Sequence, residues 1–390
     1  MRKTAKGAIF RGRNVPFEVR EFPVTEPPKG YGASELLASG VCGTDLHIHS
    51  GRLGTDAGTI IGHEFVGRLV ACDPAEAAEY GLAVGDNVIA DIAVPCGECP
   101  LCLAGDDANC VRMRVTNGDQ ADHAPYLFGG YAEVNYTPLS NLVKIPDGLD
   151  PRMVCTFACP GPTALHAFAL ARRANIGIPS VKTAVVQGLG PVGMFAALYL
   201  SAIGAENVYA VTAGSNPERV RLALAFGVKK VFELGVNADD ESVIAEMTEA
   251  TGGLGVDLVF EASGAPSAVP VGLRLLRNRG VYLVPGQYSN RGDIPISPQL
   301  ITFKALQILG SSQYSLSDVK AYLRFLADHP ELHDRIRALG TGYAVANVNK
   351  AFADAYAGKN IKTMLVAKIA PFAPRARRNC ATLPDDCTTS

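Results

Sequence analysis

TAVVQGLGPVGMFAAL, residues 183–198, opens as a short β-branched run and passes through three glycines into an apolar helical pattern. Gly188, Gly190 and Gly193 stand in G-x-G-x-x-G spacing, with Pro191 and Val192 between them. Alone, that spacing says little. Between a strand and a helix it has a mechanism. The glycines allow a tight turn and let the backbone approach a pyrophosphate seated on the helix N-terminus. The next apolar run, NVYAVTAG (207–214), would end in an acid if it were to take the ribose hydroxyls of NAD. Thr212 holds that position, and no carboxylate follows before Glu218. Gly214, Ser215 and Asn216 leave room and donors for a 2′-phosphate within reach of Arg219, which favours NADP or relaxed specificity.

Outward from this unit, helical and strand patterns alternate. RVRLALAFGVKKVFEL (219–234), VIAEMTEATGGLGVDLVFEASG (243–264), VPVGLRLLRNRGVYLVPGQ (269–287) and ALQILGSSQ (305–313) imply a parallel sheet covered on both faces. PTALHAFALARRANI (162–176) reads as a helix entering this region. Upstream, short apolar alternations are broken by Gly, Pro and Asp, the texture of a barrel-like β domain. SDVKAYLRFLADHPEL (317–332) reads as helix and IKTMLVAK (361–368) as a closing strand. The 369–390 tail is Pro-rich and without period, so disorder is expected there, with Cys380 and Cys387 as surface thiols.

The 390 residues carry a formal charge of −2, with both signs scattered, which gives no basis for a nucleic-acid or membrane surface. No run of transmembrane length occurs, and the basic N-terminus lacks the apolar core of a signal peptide; a cytoplasmic protein is expected.

Of the ten cysteines, four fall in CGECPLCLAGDDANC as C-x2-C-x2-C-x7-C: Cys96, Cys99, Cys102 and Cys110. A secreted disulfide scaffold would spread its cysteines along a shorter chain, and a redox pair needs only two. An iron–sulfur centre is a further alternative. Four thiolates close a tetrahedral zinc shell with no place for a substrate, so this cluster reads as structural. The segment is acidic, which argues against a DNA-binding finger.

Chemistry must then lie elsewhere. GVCGTDLHIHSG (40–51), IIGHEFVG (60–67) and FACPGPTALHA (157–167) supply Cys42, His63 and Cys159, a Cys2His set with one position open. Cys155 competes with Cys159, and each residue taken singly could be an ordinary core side chain.

Together, GVCGTDLH, GHEFVG, GDNV, the four-cysteine lobe and GLGPVG resemble the zinc-containing medium-chain dehydrogenase/reductase family of alcohol, polyol and threonine dehydrogenases, over about residues 7 to 368. The Cys2His shell is a known precedent in that family. The resemblance implies an α/β protein. A GroES-like β-barrel catalytic domain would span 1–160, completed by 313–390, with a Rossmann doubly wound nucleotide domain over 161–312. It implies two zinc ions per chain: a catalytic one on Cys42, His63 and Cys159, with Glu64 as alternate ligand, and a structural one in the lobe. It gives Thr44 the substrate proton, His47 the relay, Asp45 the orientation of His63, and Thr163 a place beside the nicotinamide. Gly264 and Gly286 join the nucleotide-binding set. The implied activity is NAD(P)-dependent interconversion of a secondary alcohol or polyol with its carbonyl. The implied assembly is a homodimer or homotetramer. A biosynthetic NADPH-dependent carbonyl reductase is an alternative, as is a non-catalytic nucleotide-binding or redox-sensing protein on the same fold. Residues of SGRLGTDAG (50–58), NGDQADHAPYLFGG (117–130) and GQYSN (286–290) are expected to line the substrate pocket.

Overall fold

A computed structural model of the chain describes residues 1–174 and 181–367. The proposed tail, its two cysteines and the end of the 162–176 run lie outside them. Two sheets organise the fold. The first is a parallel six-stranded sheet in the order Val228–Leu234, Asn207–Ala213, Thr183–Gln187, Val256–Glu261, Leu276–Val284, Gln307–Gly310. This is the doubly wound order of dinucleotide-binding folds, and its strand order reverses beside Thr183–Gln187. All five residues of that strand are buried, as the apolar run TAVVQ requires of a strand covered on both faces.

The second sheet has seven strands and is mostly antiparallel. Tyr31–Gly40 lies at its centre, pairing with Glu64–Ala71, Val134–Pro138 and Lys362–Val366. The last of these pairings returns the C-terminal end of the described chain to its first third. Lys362–Val366 in turn pairs in parallel with Gly340–Tyr343.

The two sheets share one apolar core. Ala38, Val66 and Ile89 of the antiparallel sheet join Phe157, Phe168 and Phe195 in a single buried cluster. The Pro160–Arg173 helix bridges the junction and packs against the Leu316–Asp328 helix, whose Tyr322 hydroxyl donates to the Val154 carbonyl at 2.8 Å. Among the described residues, no helix is long and apolar enough to cross a membrane.

Candidate active site

Three separate elements meet at the junction. Cys42 caps the Gly43–His49 helix, His63 and Glu64 open the Glu64–Ala71 strand, and Cys159 caps the Pro160–Arg173 helix. The ligand atoms of Cys42, His63, Glu64 and Cys159 all lie within 4.8 Å of one another. The Cys42 and Cys159 sulfurs are 3.9 Å apart. A tetrahedral zinc with bonds of about 2.3 Å needs sulfurs about 3.8 Å apart, so the donor set fits that ion. Cys155, the competing thiol, turns away to the Glu64 carbonyl at 3.4 Å, and burial pushes its pKa up.

Behind these side chains lies a fully buried polar network. Asp45 accepts from the Cys42 N–H at 2.8 Å and from the Tyr131 hydroxyl at 2.7 Å, and its other oxygen faces His63 Nδ1 at 3.2 Å. That contact leaves the second ring nitrogen of His63 turned towards Cys42. Burial alone would lower the His63 pKa, but the Asp45 carboxylate overrides it and holds it well above the usual value. Hydrogen bonding between the two sulfurs drives Cys42 well below the ordinary thiol range and Cys159 well above it, as for two thiols sharing one proton.

Lys362, 2 % exposed, ion-pairs with Glu64 and approaches the Val41 carbonyl at 3.4 Å. Burial raises the Glu64 carboxyl to about 7 against the pull of Lys362. Sequence reasoning missed both Lys362 and Tyr131. The lysine had a signal, a lone charge opening the apolar strand KTMLV. A buried lysine requires a buried partner.

The cluster opens into a cleft of about 690 Å³, ordinary for a small-molecule site. Thr44, His47 and Thr163 line it from the catalytic side; Gly190, Pro191, Val192, Gly264 and Gly286 line it from the parallel sheet. Among the described residues His47 Nδ1 is buried without a partner, and burial, with Arg52 and Arg291 nearby, lowers the pKa of the ring. Gly188, at φ +94°, makes the turn that sequence spacing predicts. A Cβ at Gly193 would fall 1.9 Å from the Gly188 carbonyl oxygen, whereas a Cβ at Gly190 would meet no protein atom. The first and third glycines thus build the turn, and the open face at the second, Gly190, leaves room for a phosphate.

Thr212, Gly214, Ser215, Asn216 and Arg219 do not line this cleft. They stand at the end of the Asn207–Ala213 strand and the start of the Pro217–Ala225 helix. Asn216 spends its side-chain oxygen capping that helix on the Arg219 N–H. Glu218 is tied to Arg221 at 2.6 Å. Among the described residues Arg219 Nε is buried without a partner, and burial lowers the pKa of its guanidinium. Glu233, which sequence reasoning passed over, pairs with Thr212 across the sheet and keeps one buried carboxylate oxygen without a partner among the described residues.

Of the three stretches expected in the pocket, the cleft takes Leu53, Gly54, Thr55 and Asp56, Asn117 and Gly118, and Gly286, Tyr288 and Ser289. Residues 119–130 are not part of its lining. Asp91, Ile92, Met113 and Val115 also line it and were not foreseen.

The second cluster sits beside this wall. Cys96, Cys99, Cys102 and Cys110 bring their sulfurs within 4.8 Å of one another, with Cys99 to Cys102 at 3.5 Å and Cys99 to Cys110 at 4.0 Å. The backbone N–H groups of Cys96, Cys99 and Arg112 point at cluster sulfurs at 3.2–3.4 Å, which favours thiolates. The short Ala93–Val94 and Arg114–Val115 pair ties the lobe to the cleft wall.

Residues 191–328 match the family model for zinc-binding dehydrogenases, and residues 35–147 match that for the alcohol dehydrogenase GroES-like domain. The chain is 32% identical over 315 residues to 5-exo-hydroxycamphor dehydrogenase of Pseudomonas putida, covering 79% of this chain and 83% of the relative. The chain belongs to the zinc-containing medium-chain dehydrogenase/reductase family. A sorbitol dehydrogenase of Halalkalibacterium halodurans is 30% identical over 358 residues, 90% of this chain and 95% of that one. The crystal structure of an alcohol dehydrogenase from Thermotoga maritima superposes with a TM-score of 0.82 at 26% identity, covering 93% of this chain and 99% of that one. The antiparallel sheet is therefore the GroES-like part of this dehydrogenase and the parallel sheet its Rossmann part. The protein is an oxidoreductase of the zinc-type alcohol dehydrogenase class.

Proposed function

We propose that this dehydrogenase interconverts a secondary alcohol or polyol with its carbonyl compound by hydride transfer to or from a nicotinamide dinucleotide, preferentially NADP. The observation that carries this reading is that Cys42, His63 and Cys159 of the four-residue cluster and Gly190, Gly264 and Gly286 line one cleft. The hydroxycamphor and sorbitol dehydrogenase relatives, both named for alcohol substrates, support the reaction class.

Cys42, His63 and Cys159 hold one zinc, with Glu64 as the alternate ligand, and the four lobe cysteines hold a second. A zinc with an open position supplies Lewis acidity, which lowers the pKa of an alcohol. Asp45 fixes the ring of His63 through Nδ1. Lys362 balances the negative charge of Glu64 and the two thiolates. Thr44 Oγ1, 3.8 Å from the Cys42 sulfur, takes the substrate proton. His47, kept neutral by burial, is the base that hands a proton on to water. Thr163, 3.8 Å from the Cys159 sulfur, flanks the nicotinamide.

The NADP preference rests on Arg219, in the first turn of the Pro217–Ala225 helix after the second strand, whose buried Nε has no hydrogen-bond partner among the described residues. Such a group is stabilised by a 2′-phosphate. Glu233 favours the competing reading, NAD use, because its free carboxylate oxygen lies one strand over from Thr212 and can accept ribose hydroxyls. A homodimer or homotetramer is proposed from the edge strand Gln307–Gly310, which leaves Ile308 40 % exposed next to Phe303 at 78 %.

The test is absorbance at 340 nm with zinc-replete protein, a panel of secondary alcohols and polyols, and NAD and NADP in parallel. NADP-linked reduction, weakened about 10-fold or more in Arg219→Ala with NAD rates unchanged, is the expected result. Equal rates with both nucleotides, or NAD use that depends on Glu233, would remove the NADP assignment.

A further inference from the structure

Asp91 follows the Asn87–Ala90 strand as a lone acid in the run VIADIAV, and it is 1 % exposed. Its own N–H and carbonyl are both held by Asn141. The Asp91 N–H donates to the Asn141 carbonyl at 2.9 Å, and Asn141 Nδ2 donates to the carbonyls of Asp91 at 3.1 Å and Ala93 at 2.7 Å. The carboxyl itself accepts one backbone bond, from the Ala93 N–H at 3.0 Å, and among the described residues it has no ion-pair or side-chain partner.

A buried carboxyl with one bond is costly, since its remaining lone pairs have lost water. It lines the cleft that also holds Cys42, Thr44, His63 and Cys159. Its neighbours on that wall, Ile92, Ala93, Met113 and Val115, are apolar. Tyr314 lines the same wall beside it, and on this stretch Asp91 is the carboxyl open to a ligand.

We propose that Asp91 is a specificity-determining residue that binds a second hydroxyl of the alcohol substrate, so that the preferred substrates are diols and higher polyols. The proposal rests on the dehydrogenase reading above. Burial pushes the Asp91 carboxyl up to about 7, against the Ala93 N–H. Near neutrality the group is available in both forms. A hydroxyl suits either, donating to the carboxylate or accepting from the acid. A carboxylate or phosphate on the substrate would be repelled by the ionised form, and an ammonium group would add the desolvation of a full charge.

The experiment compares butane-2,3-diol with butan-2-ol on the zinc-replete enzyme and its Asp91→Ala and Asp91→Asn variants, with metal content counted in each. The asparagine variant keeps an acceptor for the Ala93 N–H and guards against a misfolded alanine variant. In Asp91→Ala the ratio of kcat/KM for diol over monohydric alcohol falls about 10- to 100-fold, with a smaller fall in Asp91→Asn. The butan-2-ol rate and the metal count stay close to wild type. A wild-type enzyme that oxidises butan-2-ol with no dependence of the ratio on Asp91 overturns the proposal and leaves the dehydrogenase reading standing. Equal loss of both substrates with both metals retained also overturns it, as does dependence on Asp91 confined to an amino alcohol. A wild-type enzyme inactive on every alcohol with both metals bound overturns the dehydrogenase reading, and the proposal falls with it.

Discussion

The two cysteine clusters use similar donors and are built in opposite ways. The lobe takes all four sulfurs from one short segment, Cys96 to Cys110, turned by Gly97 and Gly105 at positive φ and stabilised by backbone N–H groups. It stands out from the body of the protein, with Leu103 and Val111 largely exposed beside its cysteines. The cluster at the cleft draws Cys42, His63, Glu64 and Cys159 from three elements and buries them against Asp45, Tyr131 and Lys362. The lobe is closed by its own ligands, whereas the cleft cluster is completed from behind and left open in front. In the proposed reading, distance along the chain thus separates a site that holds structure from one that exposes a position to a substrate.

That contrast can be broken by removing one ligand at a time. Cys42→Ala takes away one metal of two and lowers turnover at 340 nm by about 1,000-fold or more, because Lewis acidity contributes several kcal/mol at the transition state. If metal analysis found both ions lost, the clusters would not be independent. Asp45→Asn leaves all ligands in place and removes the carboxylate facing His63 Nδ1. Its expected effect is a loss of about 10- to 100-fold in affinity for the metal at the cleft, read by competition with a chelator, with the lobe's metal unaffected.

Cys99→Ala sharpens the comparison from the other side. It releases the lobe's metal and lowers the unfolding midpoint. It also costs activity by about 10-fold or less, through Met113 and Val115 on the cleft wall. Full activity in a variant with one metal would show that the lobe has no hold on the cleft.

The smallest effect is on the pH profile. In the proposed relay the working form of His47 is the neutral base, and burial depresses its pKa below the ordinary histidine value of 6.5. Activity that depends on His47 therefore persists as pH falls through that value and is lost only below it. His47→Gln should remove this acid limb from the kcat/KM profile. A limb that stays where it was would assign it to another group.

How much was legible in the sequence varies with how local each feature is. The G-x-G-x-x-G turn and the four-cysteine spacing were readable because ligand, turn and strand are neighbours in the chain, and the structure forms both where the motifs stand. Cys42, His63 and Cys159 were legible through their flanking motifs, yet spacing alone left Cys155 in competition. Only the seating of Cys159 at the start of the Pro160–Arg173 helix, with Cys155 turned to the Glu64 carbonyl, separates the two.

Lys362, Tyr131, Asp91 and Glu233 were hidden for one reason. Each acquires its meaning from a partner, or from the lack of one, far away in the chain. Lys362 meets Glu64 only because the Lys362–Val366 strand pairs with Tyr31–Gly40. Asp91 becomes a buried, nearly unpartnered carboxyl only once the lobe and the cleft wall close round it. The sequence by itself determined the two sheets, the nucleotide turn and the donor types of both metal clusters, because periodicity and short spacings are local properties of the chain. The tertiary structure decided which thiol faces the cleft, which charges are paired in the dark behind it, and which carboxyl is left on the cleft wall with a single bond, because burial and partnership exist only once distant segments have packed.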